Sequence, residues 1–317
     1  MSEPLQLTTL GEALVVMDPV SRGPLRYVGG FEKHLGGAEL NVAVGLSRLG
    51  HSVGWTGRLG DDEFGKEILA FTRGEGVDVS RTTLDLEAPT GLYFKEWRTL
   101  GQLRVYYYRA GSAASRMRFD ELDLEYLLSG EILHLTGITA ALSESCHDLI
   151  ERLLAAANER GLTVSFDVNV RRLLFEGRDP RKILGPLAAR ADLLFLSDDE
   201  AELLFGGSDP RSLLEARRSV RAETVVVHRA EGAFAVEGSG VSEKAAYTVD
   251  AVDTVGAGDA FVAGFLSGRL RRWSTEECLD MGNACGACAV TVPGDLKGLP
   301  TAEEALALRR GRSGVER

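Results

Sequence analysis

The chain is poor in cysteine, proline and positive charge. Four cysteines in 317 residues cannot make a disulfide scaffold. Cys285-Gly286-Ala287-Cys288 is a close pair, but with no second pair or histidine nearby it cannot supply four zinc ligands. The five histidines are scattered without ligand spacing, and His134, inside an apolar strand, reads as a core residue. No apolar run approaches the roughly 20 residues that a membrane helix needs. The opening residues, MSEPLQLTTLGEALVV, lack a basic stretch followed by a long apolar one, so they do not read as a signal peptide. A cytoplasmic location is the expectation. Lysine and arginine number 36 against 47 acids, a formal charge of −11 that argues against nucleic acid or an anionic membrane as partner. No fixed-period repeat and no Pro/Ser-rich linker divides the chain.

What is present is a globular composition. Hydrophobic residues make up 44%, enough for a sizeable core in one large domain. Strand-like and helical patterns alternate from Glu131 onward: EILHLT, then a helix from a Ser143 cap to Gly161, LTVSFD, a helix over 181–190, DLLFL, and a helix over 198–205. A helix over 211–218 and strands ETVVVH, 233–237 and 245–249 follow. Helices over 257–270, 275–292 and 302–309 close the chain. Such alternation implies a doubly wound, mostly parallel sheet in an αβα sandwich, with ligands beyond the carboxyl ends of its strands. The first hundred residues carry extra β structure, including a hairpin over 90–108 turning near Gly101. This reads as a small β-sheet lid, formed by about 12–35 and 88–110, over the ligand edge of a single domain spanning 1–317.

The stretch DAVDTVGAGDAF, 250–261, lies between a strand and a helix. Gly256, Ala257 and Gly258 leave backbone N–H groups bare at a helix N-terminus, which attracts phosphate. Asp259 would repel a phosphate at rest. It makes sense beside one in transit, where a carboxylate accepts the proton of an attacking hydroxyl. A glycine-rich turn with a dipole-favouring Asp is the plainer alternative. Gly60–Lys66 has the spacing of a P-loop, but its three consecutive acids and the Glu67 that follows exclude that reading.

DTVGAGDAF resembles the C-terminal signature of the ribokinase-like (PfkB) family of carbohydrate kinases. GGAELNVA at 36–43 and GRLGDDEFG at 57–65 resemble its N-terminal signature, and the likeness runs in order along essentially the whole chain. The resemblance implies ATP and Mg²⁺, and a place for a monovalent cation such as K⁺. It makes Asp259 the catalytic base and Gly256, Ala257 and Gly258 the anion hole, and it puts Asp253 near the ATP phosphates and any monovalent ion. It places Gly37, Ala38, Glu39 and Asn41 at the sugar. Asn169, Ser197, His228, Gly232 and Asn283 would border the nucleotide, and Asp295 the substrate. Glu200 would position magnesium through water, although Ser197 and Glu200 also have the spacing of a helix capping box.

Two arginines bear on the substrate. Arg109 follows the hairpin in YYYRAGSA, and Arg171 ends the D-x-N-x-R run at the carboxyl edge of a strand. Converging arginines suit a carboxylate, which a neutral sugar lacks. Together GGAELN, TGLY, YYR-x-GSA and D-x-N-x-R resemble the branch that phosphorylates 2-keto-3-deoxygluconate. That likeness adds Tyr93 and Tyr107 as substrate contacts and brings Glu12 near them. One departure stands out: the loop 228–232 reads HRAEG where the family has Lys-x-Gly-x-x-Gly, which leaves the nucleotide donor open. Another sugar (ribose, fructose, 5-keto-2-deoxygluconate) and a non-catalytic sugar or nucleotide sensor stay open as alternatives. Exposed lid strands suggest pairing into a homodimer or higher assembly.

Overall fold

The computed structural model describes residues 4–98, 103–175 and 177–311; the expected hairpin turn near Gly101 lies outside them. Apolar strands alternate with amphipathic helices, and this pattern builds an eight-stranded sheet with helices on both faces. Its strands run, in spatial order, Gly240–Ala245, Gly232–Glu237, Thr224–Arg229, Leu193–Ser197, Thr163–Asp167, Ile132–Thr136, Leu7–Leu10 and Val53–Thr56. The last six are parallel, and the first two form an antiparallel edge. Alternate side chains feed two cores: Phe195 packs with Phe265 on one face, while Leu194 and Leu196 face the other.

The chain starts at Leu7–Leu10, steps to the edge strand Val53–Thr56, then returns to the other side at Ile132–Thr136. Strand order therefore reverses between Leu7–Leu10 and Ile132–Thr136, and a crevice opens at their carboxyl ends. A second sheet covers that crevice. It is ordered Phe31–Gly36, Leu14–Pro19, Leu92–Trp97 and Leu103–Tyr108, within the two stretches expected to form a separate β structure. Leu14, Val16 and Tyr93 are buried on its inner face with Val105 and Tyr107, whereas Tyr106 and Tyr108 stand exposed outside.

One strand differs from the sequence expectation. The strand read over 245–249 lies earlier, at Gly240–Ala245, because Gly238 adopts a left-handed turn that folds the chain straight back on Gly232–Glu237. At Gly57 the chain leaves the large sheet: Val53–Thr56 joins it, and Arg58–Gly60 pairs instead with Thr83–Asp85. No helix among the described residues is long and apolar enough to cross a membrane. The four cysteines are free, and Cys285 is buried in the helix Thr275–Ala289.

Candidate active site

A cavity of about 480 Å³ lies where the carboxyl edge of the large sheet meets the smaller sheet. Its floor is the N-terminus of the helix Ala257–Leu270. Gly256 caps that helix with φ +80°, and a β-carbon there would lie 2.9 Å from the Asp295 carbonyl oxygen, so the turn admits only glycine. No side chain caps the helix. The N–H groups of Gly256, Gly258 and Asp259 find no partner among the described residues. Ala257, expected to share the anion hole, instead turns its N–H back to the Thr254 carbonyl at 3.4 Å.

Asp259 is buried beside these donors. Asn41 Nδ2 donates to its Oδ2 at 2.6 Å, and Asn169 Nδ2 reaches Oδ1 at 3.3 Å. Burial lifts its pKa to about 6, against the pull of Asn41 and Arg171. Asn169 has φ +40°, rare for a non-glycine residue; this strained backbone turns its amide toward both Asp259 and Asp167.

Asp167, not singled out from the sequence, ends the strand Thr163–Asp167 and lines the cavity. Burial first, then the charges of Glu200 and Asp259, push its pKa well up. Glu200 accepts the Ser197 N–H at 2.8 Å and the Val170 N–H at 2.6 Å, and Ser197 accepts the Glu200 N–H in return. The capping box is therefore formed, on the wall of the cavity. Among the described residues no cluster of three His, Cys, Asp or Glu side chains could hold a metal alone. The crowding of Asp167, Glu200 and Asp259 does fit a cation that arrives with its own ligands, because like charges this close are relieved by one.

Gly37, Ala38, Asn41, Tyr93, Tyr107, Arg109, Arg171, Asn169, Ser197, His228 and Asp295 all line the same cavity. The arginines differ. Arg109 is buried and ion-paired with Glu12, whose other oxygen accepts a hydrogen bond from Ser112 Oγ at 2.9 Å. Arg171 is exposed to the cavity, and no carboxylate of the described residues lies within ion-pair distance. His228 stands 3.3 Å from where a β-carbon of Gly258 would be, and burial lowers its pKa.

Four expected site residues face elsewhere. Glu39 is fully buried beneath the cavity, where Thr136 and Thr139 donate to its Oε1 at 2.8 and 2.6 Å, and burial raises its pKa to about 7. Gly232 opens the strand next to the sheet edge at φ +146° and packs against the Lys244 carbonyl, away from the cavity. Asn283 spends its amide on the carbonyls of Lys244 and Ala245, at 3.0 and 3.1 Å. Asp253 turns from the cavity to Lys95, whose Nζ lies 3.0 Å from its Oδ2. Lys95 was itself missed. Its position, two residues from Tyr93 in TGLYFKEW, puts both on one face of a strand, which is the signal that could have found it.

Comparison with known proteins agrees with this geometry. The family model described as "pfkB family carbohydrate kinase" matches residues 5–302. The chain is 37% identical to the 2-dehydro-3-deoxygluconokinase of Thermoproteus tenax, over 95% of this chain and 93% of that one. It is 38% identical to the enzyme of the same name from Bacillus subtilis, over 95% and 94%. Among solved structures, the 2-dehydro-3-deoxygluconokinase of Thermotoga maritima superposes with a TM-score of 0.89 at 26% identity, covering 98% of this chain and 99% of that one. A fructokinase from Xylella fastidiosa with bound ATP gives 0.86 at 26% identity, covering 98% and 99%. The chain belongs to the pfkB family of carbohydrate kinases, with the ribokinase-like fold, and is a sugar kinase.

Proposed function

We propose that this kinase transfers the γ-phosphoryl group of ATP to the primary hydroxyl of a sugar acid, 2-keto-3-deoxygluconate. The observation that carries the substrate class is Arg171: a guanidinium in the cavity that holds Asp259, with no ion-pair partner among the described residues. A carboxylate would meet its paired donors, which a neutral sugar would leave unused. The names of the two curated relatives support the same choice, and the ATP bound to the Xylella fructokinase supports the donor.

The roles follow from the geometry. Asn41 and Asn169 hold the Asp259 carboxylate in place, and Asp259 takes the proton of the attacking hydroxyl. The unpartnered N–H groups of Gly256, Gly258 and Asp259 stabilise charge on the transferred group. Mg²⁺, when bound with the triphosphate, neutralises the phosphate charge, and Asp167 and Glu200 would hold its water shell. The smaller sheet acts as a lid: Tyr93 and Tyr107, packed edge to face at 5.7 Å, exclude water above the sugar.

A neutral sugar is the rival, and one observation favours it: Glu12 already neutralises Arg109. A coupled ADP-release assay over 2-keto-3-deoxygluconate, 5-keto-2-deoxygluconate, fructose and ribose decides. The highest kcat/KM is expected with 2-keto-3-deoxygluconate. Better use of fructose or ribose would overturn the substrate; sugar binding without ADP release would make the chain a sensor.

A further inference from the structure

Lys95 is a charged side chain that neither signature contains and that phosphoryl transfer as described does not use. It lies on the lid strand Leu92–Trp97 with no exposed surface. Its Nζ sits 3.0 Å from Asp253 Oδ2, 3.5 Å from Asp295 Oδ1 and 3.9 Å from Asp18 Oδ2. These three acids come from three separate parts of the chain. Asp18 belongs to the lid strand Leu14–Pro19. Asp253 precedes the anion-binding turn, and Asp295, whose carbonyl packs against Gly256, follows the helix Thr275–Ala289.

We infer that Lys95 is a cation built into the chain: it braces the anion-binding turn against the lid and fills the place a dissolved monovalent ion would take. One oxygen of the cluster, Asp295 Oδ1, has no hydrogen-bond partner among the described residues, and it lies 3.5 Å from Nζ. Asp253 accepts the N–H groups of Val255 and Gly294 at 3.1 and 3.2 Å, Asp18 accepts Trp97 Nε1 at 2.9 Å, and Asp295 accepts the Tyr93 hydroxyl at 3.3 Å. What those hydrogen bonds leave unmet is Asp295 Oδ1 and the need for positive charge, and the ammonium faces both. Burial alone would lower the Lys95 pKa; the charges of Asp295, Asp253 and Asp18 outweigh it and raise the value, so the ammonium stays protonated. A potassium ion at Asp253, implied by the family resemblance, would have to displace a side chain that cannot leave. Lys95 is thus a positioning residue. It borders the cavity that holds Asp259, and through its ion pairs it fixes the segment that presents Gly256 and Gly258.

This rests on the reading of Gly256–Asp259 as the phosphate site, so the test has one arm that needs no turnover. Thermal melting and steady-state kinetics of the full chain are compared in KCl and in tetramethylammonium chloride at equal ionic strength, so that screening cancels. The wild-type protein should melt alike in both and differ in kcat by less than about twofold. Lys95→Ala should melt lower and lose kcat by about tenfold to a hundredfold, with KM for the sugar acid changed far less. KCl or ammonium chloride should restore part of both losses, and tetramethylammonium, too large for the site, should not. A wild-type protein selectively stabilised or activated by K⁺ would overturn the inference, even if Lys95→Ala does not fold. So would a Lys95→Ala protein with unchanged kcat or no preference among the salts. Melting arms that behave as expected, with no phosphorylation of any sugar, would sink the kinase chemistry and leave the brace standing.

Discussion

Two groups of three acids flank the turn at Gly256, and they differ in what neutralises them. Asp18, Asp253 and Asp295 surround the buried ammonium of Lys95 at the border of the cavity. Among the described residues no basic group lies within ion-pair distance of Asp167, Glu200 or Asp259; the exposed Arg171 acts on Asp167 and Asp259 as a charge at longer range. The first group is complete as folded and serves structure. In the second, Asp167 and Asp259 are held above their usual pKa range with no such partner, whereas Asp295 of the first, also raised by burial, is pulled back by Lys95. Electrostatic completeness separates scaffold from chemistry here more clearly than burial does, since both groups are buried.

That contrast can be broken by removing each cation in turn. Lys95→Ala leaves buried carboxylates unpaired and should cost about 3–5 kcal/mol of stability in urea unfolding. Arg171→Ala removes an exposed charge and should leave the urea midpoint nearly unchanged. Its effect should fall on function: kcat/KM for the sugar acid drops by about tenfold to a hundredfold, the worth of charge-assisted hydrogen bonds of about 1.5–3 kcal/mol, while fructose use changes little. Equal losses for both sugars would remove the carboxylate contact. A subtler change should appear in pH profiles. Asp259 must be deprotonated to act as a base, so kcat/KM should fall as pH drops through about 6. Asn41 and Arg171 both hold that value down; Asn41→Ala should therefore move the acid limb to higher pH. A limb that stays put, or moves lower, would mean another group controls it.

Much of this was legible in the sequence. Strand–helix alternation from Glu131 onward marked out the sheet because its parallel strands are apolar and buried and its helices carry apolar stripes. The helices Asp198–Phe205, Ala257–Leu270 and Ala302–Arg309 begin and end where capping residues and periodicity put them. What stayed hidden were directions. A helix turns about 100° per residue, so Ala38 and Asn41 share a face while Glu39 points away, into the core beneath the site. Asn283 likewise sits on a helix near the right place but faces an edge strand. Lys95 was hidden for a different reason. Its meaning depends on acids about 80, 160 and 200 residues away in sequence, and only the packing of the lid brings them together. Glu12 blunted the expected symmetry of Arg109 and Arg171 in the same way, by a contact between distant segments.

The claim on which the chemistry depends is that Asp259 strips the proton from the sugar hydroxyl. Asp259→Asn keeps the shape and the hydrogen bonding of the site while removing the base. Single-turnover phosphorylation of 2-keto-3-deoxygluconate by this variant, with sugar and nucleotide binding measured alongside, tests it most directly. The prediction is near-normal binding with the rate of phosphoryl transfer lowered by about 10²–10⁴. Transfer at close to the wild-type rate would contradict it.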